Sequence, residues 1–182
     1  MWSNRPDNEL RAIAHETQAS QDAFELFQLL KLARDSAVLT VLEIGVDRGY
    51  LMAAWEDALG ADVLGIDISD ERFDTDMRDC LILGDSASEA TLNTVIRRLT
   101  GHPIDLLFID GDHHYEGARR DYDLYEPLVA KGGLIAFHDT ARQPGQIPGV
   151  ETRRVFDELR PSHQSLEFWG GGDAPGIGIL IK

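Results

Sequence analysis

The chain has 182 residues, of which 43% are hydrophobic and 27% are charged, and 32 acidic against 17 basic residues give a formal net charge of −15. This composition is typical of one soluble globular domain, and the negative charge disfavours nucleic acids and anionic membranes as partners. Cys80 is the single cysteine, so no internal disulfide can form, and the sequence shows neither a signal-peptide pattern nor an apolar run of about 20 residues; we therefore predict a cytoplasmic protein.

The first half of the chain alternates between helical and strand patterns. Residues 23–34 place apolar side chains almost all the way round a helix, which predicts burial on two sides, against a sheet and against a second subunit in a homodimer. The segments that follow are predicted as a strand over 38–45, a helix over 50–60, a strand over 61–68, a short polar helix over 70–79 and a strand over 80–85.

The second half repeats the alternation. We predict a helix over 87–100, a strand over 104–110, a helix over 117–133, a strand over 134–139, a loop over 140–149, a helix over 150–160 and a final antiparallel hairpin formed by "SLEFW" and "GIGILIK". Strands interleaved with helices indicate a doubly wound, Rossmann-like α/β fold with a mostly parallel sheet and helices on both faces. We expect one domain over 1–182, with an N-terminal helical segment at 1–35 and the core at 36–182.

Every predicted parallel strand ends in an acidic residue. In chain order these residues are Glu43, Asp67, Asp85, Asp110 and Asp139, the last preceded by His138. Ligands of such sheets bind outside the carboxyl ends of the strands. A single acid at a strand end is often a helix cap, but five acids at one edge favour a binding site.

The stretch "LEIGVDRGYL" (42–51) has the pattern of a strand, a glycine-bearing turn and a helix start. Gly45 and Gly49 allow backbone to approach a ligand closely. The middle glycine of a dinucleotide fingerprint is absent, and the acids Glu43 and Asp47 suit a cation better than a pyrophosphate. Asp67, at the end of the next strand, is suited to the two hydroxyls of a ribose.

Several motifs together resemble the class I S-adenosylmethionine-dependent methyltransferases: "VLEIGVDRGYL", "GIDIS", "LILGDS" and "LLFIDGDHHYEGARRDYDLYEPLVAKGGLIAFHDT". The resemblance covers roughly 36–182 and is strongest to the small-molecule O-methyltransferase branch, which includes cephalosporin-hydroxylase-like and macrolide-sugar methyltransferases. It implies a seven-stranded sheet whose last strand is antiparallel, S-adenosylmethionine as cofactor and a small hydroxylated molecule as acceptor.

The resemblance also assigns cofactor contacts. Glu43, Gly45 and Gly49 would shape the methionine end of the pocket, and Asp110 would stand beneath the sulfonium. The remaining implied contacts are Asp67 at the ribose, Asp85 and Ser86 at the adenine, and the adjoining Val46, Tyr50 and Ile68.

The segment "DGDHHYEG" (110–117) carries the residues expected to act on the acceptor. His113 matches the general base of the macrolide-sugar relatives, and His114 should point away from the site if His113 points into it. Asp112 is either a turn residue or a ligand-binding one.

Metal-dependent relatives bind a divalent cation at positions that correspond to Asp110, His138 and Asp139. His138 stands where those relatives have an acid. Mg²⁺ prefers oxygen ligands, whereas an imidazole suits softer divalent ions. The expected cation is therefore Mg²⁺ or a softer ion, and Asp139 is a metal or acceptor ligand unless it only caps its loop.

Two other functions are compatible with parts of this pattern. A nucleotide-binding Rossmann enzyme is disfavoured by the missing glycine and by the absence of a Tyr-x-x-x-Lys pair. A non-catalytic, methyltransferase-like binding protein is excluded by no feature of the sequence.

Overall fold

A computed structural model describes residues 5–143 and 145–182. The described residues form one seven-stranded sheet from β1 (Thr40–Ile44), β2 (Asp62–Asp67), β3 (Leu81–Leu83), β4 (Ile104–Ile109), β5 (Val129–His138), β6 (Gln164–Phe168) and β7 (Ile177–Ile181). Its order is β3-β2-β1-β4-β5-β7-β6. The pairs among β1 to β5 are parallel, and β7 is antiparallel to both β5 and β6. The predicted doubly wound sheet with an antiparallel C-terminal hairpin is confirmed.

Helices cover both faces of this sheet. They are α1 (Asp7–Glu16), α2 (Ala23–Asp35), α3 (Tyr50–Leu59), α4 (Glu89–Leu99), α5 (Tyr115–Tyr125) and α6 (Thr152–Leu159). Successive residues of a strand point to opposite faces of the sheet, and each face has its own hydrophobic core. Phe108 packs in the core with α1, α2 and α3, whereas its neighbour Leu107 packs in the core with α4, α5 and α6. In the described ranges, no helix combines the length and the apolarity needed to cross a bilayer.

Most of the apolar circumference of α2 is covered within the chain. Leu26 and Leu30 of α2 belong to the same buried cluster as Leu10 and Ala14 of α1. The side of α2 that was expected to pack against a second subunit is thus largely covered by α1 of the same chain. The homodimer itself stays a prediction.

The polar segment 70–79 is not a helix, contrary to the prediction. It forms turns and then a 3-10 turn over Met77–Cys80. Side chains there satisfy nearby backbone groups: Ser69 N–H donates to Asp67 Oδ1 and Glu71 N–H donates to Ser69 Oγ. Such local bonds compete with helix formation, and no apolar stripe offsets them.

The helix predicted over 117–133 ends early. α5 stops at Tyr125, a 3-10 turn covers Glu126–Leu128, and β5 already begins at Val129. Pro127 explains the change, because it has no N–H to continue the helical ladder. The first part of β5 pairs with β4 in a register that shifts before Leu134.

Candidate active site

A cavity of about 730 Å³ lies at the carboxyl ends of the parallel strands. A smaller cavity of about 40 Å³ adjoins it and shares Gly45 and Asp110 in its lining. Of the residues expected at the site, the larger cavity is lined by Gly45, Asp67, Ile68, Asp85, Ser86, Asp110, His113, His138 and Asp139, and the smaller by Glu43, Gly45, Val46, Tyr50 and Asp110. The structure thus brings all of them together except Gly49, which borders neither cavity.

The two glycines after β1 serve the packing of the protein itself. Gly45 has φ +86°, and a Cβ there would lie 2.1 Å from the carbonyl oxygen of Asp110. Gly49 has φ +82°, and a Cβ there would lie 2.7 Å from the ring of Phe73. Both positions need glycine because the backbone is left-handed and a neighbour is close, so close approach to a ligand is not required to explain them.

Asp67 organises the loop that follows β1. Its Oδ2 accepts hydrogen bonds from Val46 N–H at 2.8 Å and Asp47 N–H at 2.9 Å, while Oδ1 accepts from Ser69 N–H at 3.0 Å. A carboxylate has about four acceptor positions. The Asp67 side chain therefore keeps capacity to accept a hydroxyl from a ligand in the cavity.

Ser86, in the loop that follows β3, is held in place by α5. Tyr125 Oη–H donates to the Ser86 carbonyl at 2.7 Å, and the Asp121 carboxylate is hydrogen-bonded to the Ser86 side chain. Burial raises the pKa of Asp121 to about 6, although the Ser86 hydrogen bond and Arg120 act in the opposite direction. Sequence reasoning missed Asp121; the available signal was an acid on the inward stripe of α5, next to Tyr122.

Two histidine–carboxylate pairs stand side by side beyond β4 and β5. His113 Nδ1 lies 3.1 Å from Asp139 Oδ2, and His138 Nδ1 lies 2.9 Å from Asp110 Oδ1. Asp139 adopts a left-handed φ of +61°, a conformation that aspartate tolerates better than most residues. This turn directs the Asp139 carboxylate toward His113.

The carboxylates shift the titration of both imidazoles. The hydrogen bond to Asp139 raises the pKa of His113 above its usual value, against the effect of burial. Burial alone would lower the pKa of His138, but the charges of Asp110 and Asp139 raise it. For Asp139 the directions are reversed: burial acts to raise its pKa, but the hydrogen bond to His113 and the nearby cationic side chains lower it.

One group in the described part of the chain has the spacing of a metal site. Single ligand atoms of Asp110, His113 and Asp139 all lie within 4.8 Å of one another. His138 had been expected in this set, but its Nδ1 is committed to Asp110 and the residue is buried behind the cluster. Two carboxylates and one imidazole fit a divalent ion, and they suit one softer than Mg²⁺.

Asp112 and His114 form a separate contact at the surface. Asp112 Oδ1 accepts from His114 N–H at 3.0 Å and lies 2.7 Å from His114 Nδ1. These bonds lower the pKa of Asp112, although partial burial acts to raise it. The His114 side chain is 64% exposed, whereas the His113 side chain is 40% exposed and lines the cavity. The structure thus places Asp112 in the turn before α5, with His114 turned away from the cluster.

The N-terminal segment contributes a residue that sequence reasoning missed. Gln21, between α1 and α2, donates from Nε2 to Asp110 Oδ2 at 2.8 Å. In the same region Glu43 is buried and accepts from Trp55 Nε1–H at 3.0 Å. Burial, together with the charge of Asp110, raises the pKa of Glu43 well above its usual range. Gln21 lies in a short polar connector without periodicity, so no pattern marked it.

Residues 42–140, more than half of the chain, match a family model described as a methyltransferase domain. The chain belongs to this methyltransferase family. A curated protein of Acanthamoeba polyphaga mimivirus, the uncharacterized protein R132, is 56% identical over 36 residues, which are 20% of this chain and 16% of that protein.

Solved structures share the fold. A Staphylococcus aureus protein assigned as a caffeoyl-CoA O-methyltransferase has a TM-score of 0.69 at 17% identity, covering 98% of this chain and 93% of that one. The O-methyltransferase of Bacillus cereus, in complex with SAH, has a TM-score of 0.66 at 20% identity, covering 97% and 89%.

MycE, a methyltransferase of the mycinamycin biosynthetic pathway in complex with Mg and SAH, has a TM-score of 0.68 at 24% identity. The match covers 99% of this chain but only 54% of MycE, so the chain spans about half the length of that relative. Family and fold together confirm the resemblance to class I methyltransferases that the sequence shows.

Proposed function

We propose that this protein transfers a methyl group from S-adenosylmethionine to a hydroxyl of a small molecule. The observation that carries the proposal is one continuous cavity in a member of a methyltransferase family. At one end the cavity is lined by Asp67 and Ser86, and at the other by Asp110, His113 and Asp139. A cofactor at the first end and an acceptor at the second would meet above the strand ends.

The first end fits the adenosine part of the cofactor. Asp67 retains acceptor capacity for the ribose hydroxyls, and Ser86, fixed by Asp121 and Tyr125, borders the space for the adenine. Asp85 and Ile68 line the same space. Bound S-adenosylmethionine would supply the methyl carbon as the electrophile and its positively charged sulfur as the leaving group, which departs as S-adenosylhomocysteine.

The second end can remove a proton from the acceptor. An ionised carboxylate only accepts hydrogen bonds, so Asp139 fixes the proton of neutral His113 on Nδ1. His113 Nε2 is then the atom that takes the hydroxyl proton, and Asp139 stabilises the resulting imidazolium. An imidazole is suited to this role because its ordinary pKa is close to neutrality.

A divalent cation would be held by Asp110, His113 and Asp139, where bound metal would lower the pKa of the acceptor hydroxyl. The MycE structures with Mg are consistent with such assistance in the wider fold group. His113 would then be a ligand of the cation, so it would act as the base only in the absence of the metal.

Ligand binding tests the first half of the proposal. S-adenosylhomocysteine should raise the melting temperature, because a ligand of the native state stabilises it. Asp67→Ala should remove most of that shift. Asp105→Ala is the matched control: Asp105 Oδ2 also accepts from two successive backbone N–H groups, of Leu39 and Thr40, but the residue does not line the cavity. It should lower stability and leave the ligand shift intact. A shift produced by NAD and not by S-adenosylhomocysteine would overturn the proposal.

Turnover tests the second half. A panel of hydroxylated small molecules, incubated with methyl-labelled S-adenosylmethionine, should yield labelled product for at least one acceptor class. Tight cofactor binding without labelling of any acceptor would favour a non-catalytic binding protein.

A further inference from the structure

Gln21 reaches the site from outside the part of the chain that defines the family. It lies in the connector between α1 and α2, whereas the family match begins at residue 42. Its amide contacts Asp110, 89 positions further along the chain, at 2.8 Å. The N-terminal segment is therefore part of the site as well as a cover for α2.

The orientation of the Gln21 amide follows from its partner. Because an ionised carboxylate can only accept, the NH₂ group must face Asp110, and the carbonyl oxygen Oε1 must face away. In the described part of the chain this buried Oε1 has no hydrogen-bond partner. A buried carbonyl oxygen without a donor costs free energy, so a ligand that brings an N–H donor gains from binding here.

The Gln21 side chain lines the cavity of about 40 Å³. One water-sized group occupies about 10–15 Å³ of such a cavity, so the cavity holds only about three or four heavy atoms. Three acidic residues, Glu43, Asp47 and Asp110, line the same cavity against a single basic one, Arg48. The space thus suits a small cationic group that carries several N–H donors.

We propose that Gln21 is a cofactor-positioning residue whose Oε1 accepts a hydrogen bond from the α-ammonium group of the methionine part of S-adenosylmethionine. The inference rests on the proposed function. The Gln21 side chain then makes two contacts. Its oxygen accepts from the amino-acid end of the cofactor, and its nitrogen donates to the Asp110 carboxylate beneath the reacting methyl group.

A pair of ligands separates this role from a merely structural one. S-Adenosylhomocysteine carries the amino-acid part, whereas 5′-methylthioadenosine shares the adenosine and the thioether but lacks it. Gln21→Met keeps the length of the side chain and removes both hydrogen-bonding atoms. Titration calorimetry on the full chain measures both affinities, and a melting curve without ligand shows that the variant is folded.

We expect Gln21→Met to weaken S-adenosylhomocysteine roughly tenfold or more, as for the loss of one hydrogen bond to a charged group, and to leave the affinity for 5′-methylthioadenosine unchanged. Asp67→Ala, which alters the ribose end, should weaken both ligands. Equal weakening of both ligands by Gln21→Met, or weakening of neither, would overturn the inference and leave the proposed function standing. If the wild-type chain binds neither ligand, the proposed function fails and the inference with it.

Discussion

His113 Nδ1 lies 3.1 Å from Asp139 Oδ2, and this contact joins the segments that follow the neighbouring strands β4 and β5. It fixes which nitrogen of the imidazole carries the proton and leaves Nε2 to act on a ligand. The same carboxylate oxygen lies 3.9 Å from His138 Nδ1, so the negative charge of Asp139 acts on both imidazoles.

Replacement of His113 tests the proposed base. His113→Ala should lower turnover by roughly 10²–10⁴-fold, the usual contribution of a general base. The affinity for S-adenosylhomocysteine should barely change, because the proposed role of the histidine is toward the acceptor. Steady-state turnover and calorimetric binding, measured on the same preparation, separate the two effects.

His114→Ala is the control for that experiment. His114 is the adjacent histidine, but its ring contacts Asp112 at the surface, away from the cluster. Its turnover should stay within about twofold of wild type, in line with a surface substitution. Full activity of both His113→Ala and Asp139→Asn would mean that these residues only cap the strand ends.

Metal binding is expected at the cluster of Asp110, His113 and Asp139. Because the set includes an imidazole, Mn²⁺ should bind more tightly than Mg²⁺. Asp110→Asn and Asp139→Asn should each abolish Mn²⁺ binding in calorimetry, since each removes one ligand of the same site. Asp112→Asn, which alters an acid of the cavity lining outside the cluster, should retain it.

A chelator tests whether the metal site is needed for turnover. If the metal carries the deprotonation, a chelator removes activity and Mn²⁺ restores it. Activity that survives chelation, with no heat of Mn²⁺ binding to the wild-type chain, would contradict the metal prediction and leave His113 as the base on its own.

Residues at the ends of parallel strands could be predicted, because all such ends meet at one edge of the sheet. Asp67, Asp110 and Asp139 line the cavity for this reason. Gln21 and Asp121 could not be predicted in the same way. Gln21 reaches the site only because α1 and α2 pack on the sheet, and the approach of Asp121 to Ser86 depends on how α5 packs on it.

The chemistry of a motif was also easier to infer than its local geometry. Gly45 was expected to make room for a ligand, whereas the structure shows it making room for the backbone of Asp110. That approach joins two chain segments 65 positions apart. A pattern within ten residues carries no information about it.

A homodimer is the prediction for the oligomeric state. The chain covers most of α2 by itself, but three large apolar side chains stay exposed: Phe24 on α2, Leu166 on the edge strand β6 and Trp169 just after β6. A second copy of the chain is the occupant we expect there, because apolar side chains near an unpaired sheet edge favour association. Sedimentation at high micromolar concentration should show a species of twice the 20.2 kDa of one chain.

Trp169→Lys should weaken that dimer by about tenfold or more, as for a central aromatic contact. Leu39→Lys is the control, since Leu39 is 65% exposed just before β1, at the opposite end of that strand from the cavity. Sedimentation of the wild type as a single 20.2 kDa species would rule the dimer out.

Asp121 should make stability depend on pH. Its pKa is about 6 in the folded chain against an ordinary 3.8, chiefly because of burial: the residue is only 3% exposed. The folded state therefore holds this proton more tightly than the unfolded state. The stabilisation is complete below the unfolded pKa and is lost as the pH rises through about 6. The neighbouring charges act in both directions: Arg120 favours ionisation, whereas Asp85 and Asp112 oppose it.

Asp121→Asn isolates this effect, because asparagine keeps an oxygen that accepts from Ser86 and cannot ionise. At pH 5 the folded wild type keeps most of the proton, and at pH 8 it has lost it. Between these values the wild type should lose about 1.4 kcal/mol of unfolding free energy relative to Asp121→Asn, which corresponds to the single pH unit between pH 5 and the folded pKa. Urea unfolding of both proteins at the two pH values measures the difference, with Asp123→Asn, an exposed position of the same helix, as the control. A gap between wild type and Asp121→Asn that stays constant from pH 5 to pH 8 would show that Asp121 is ionised in the folded chain throughout that range.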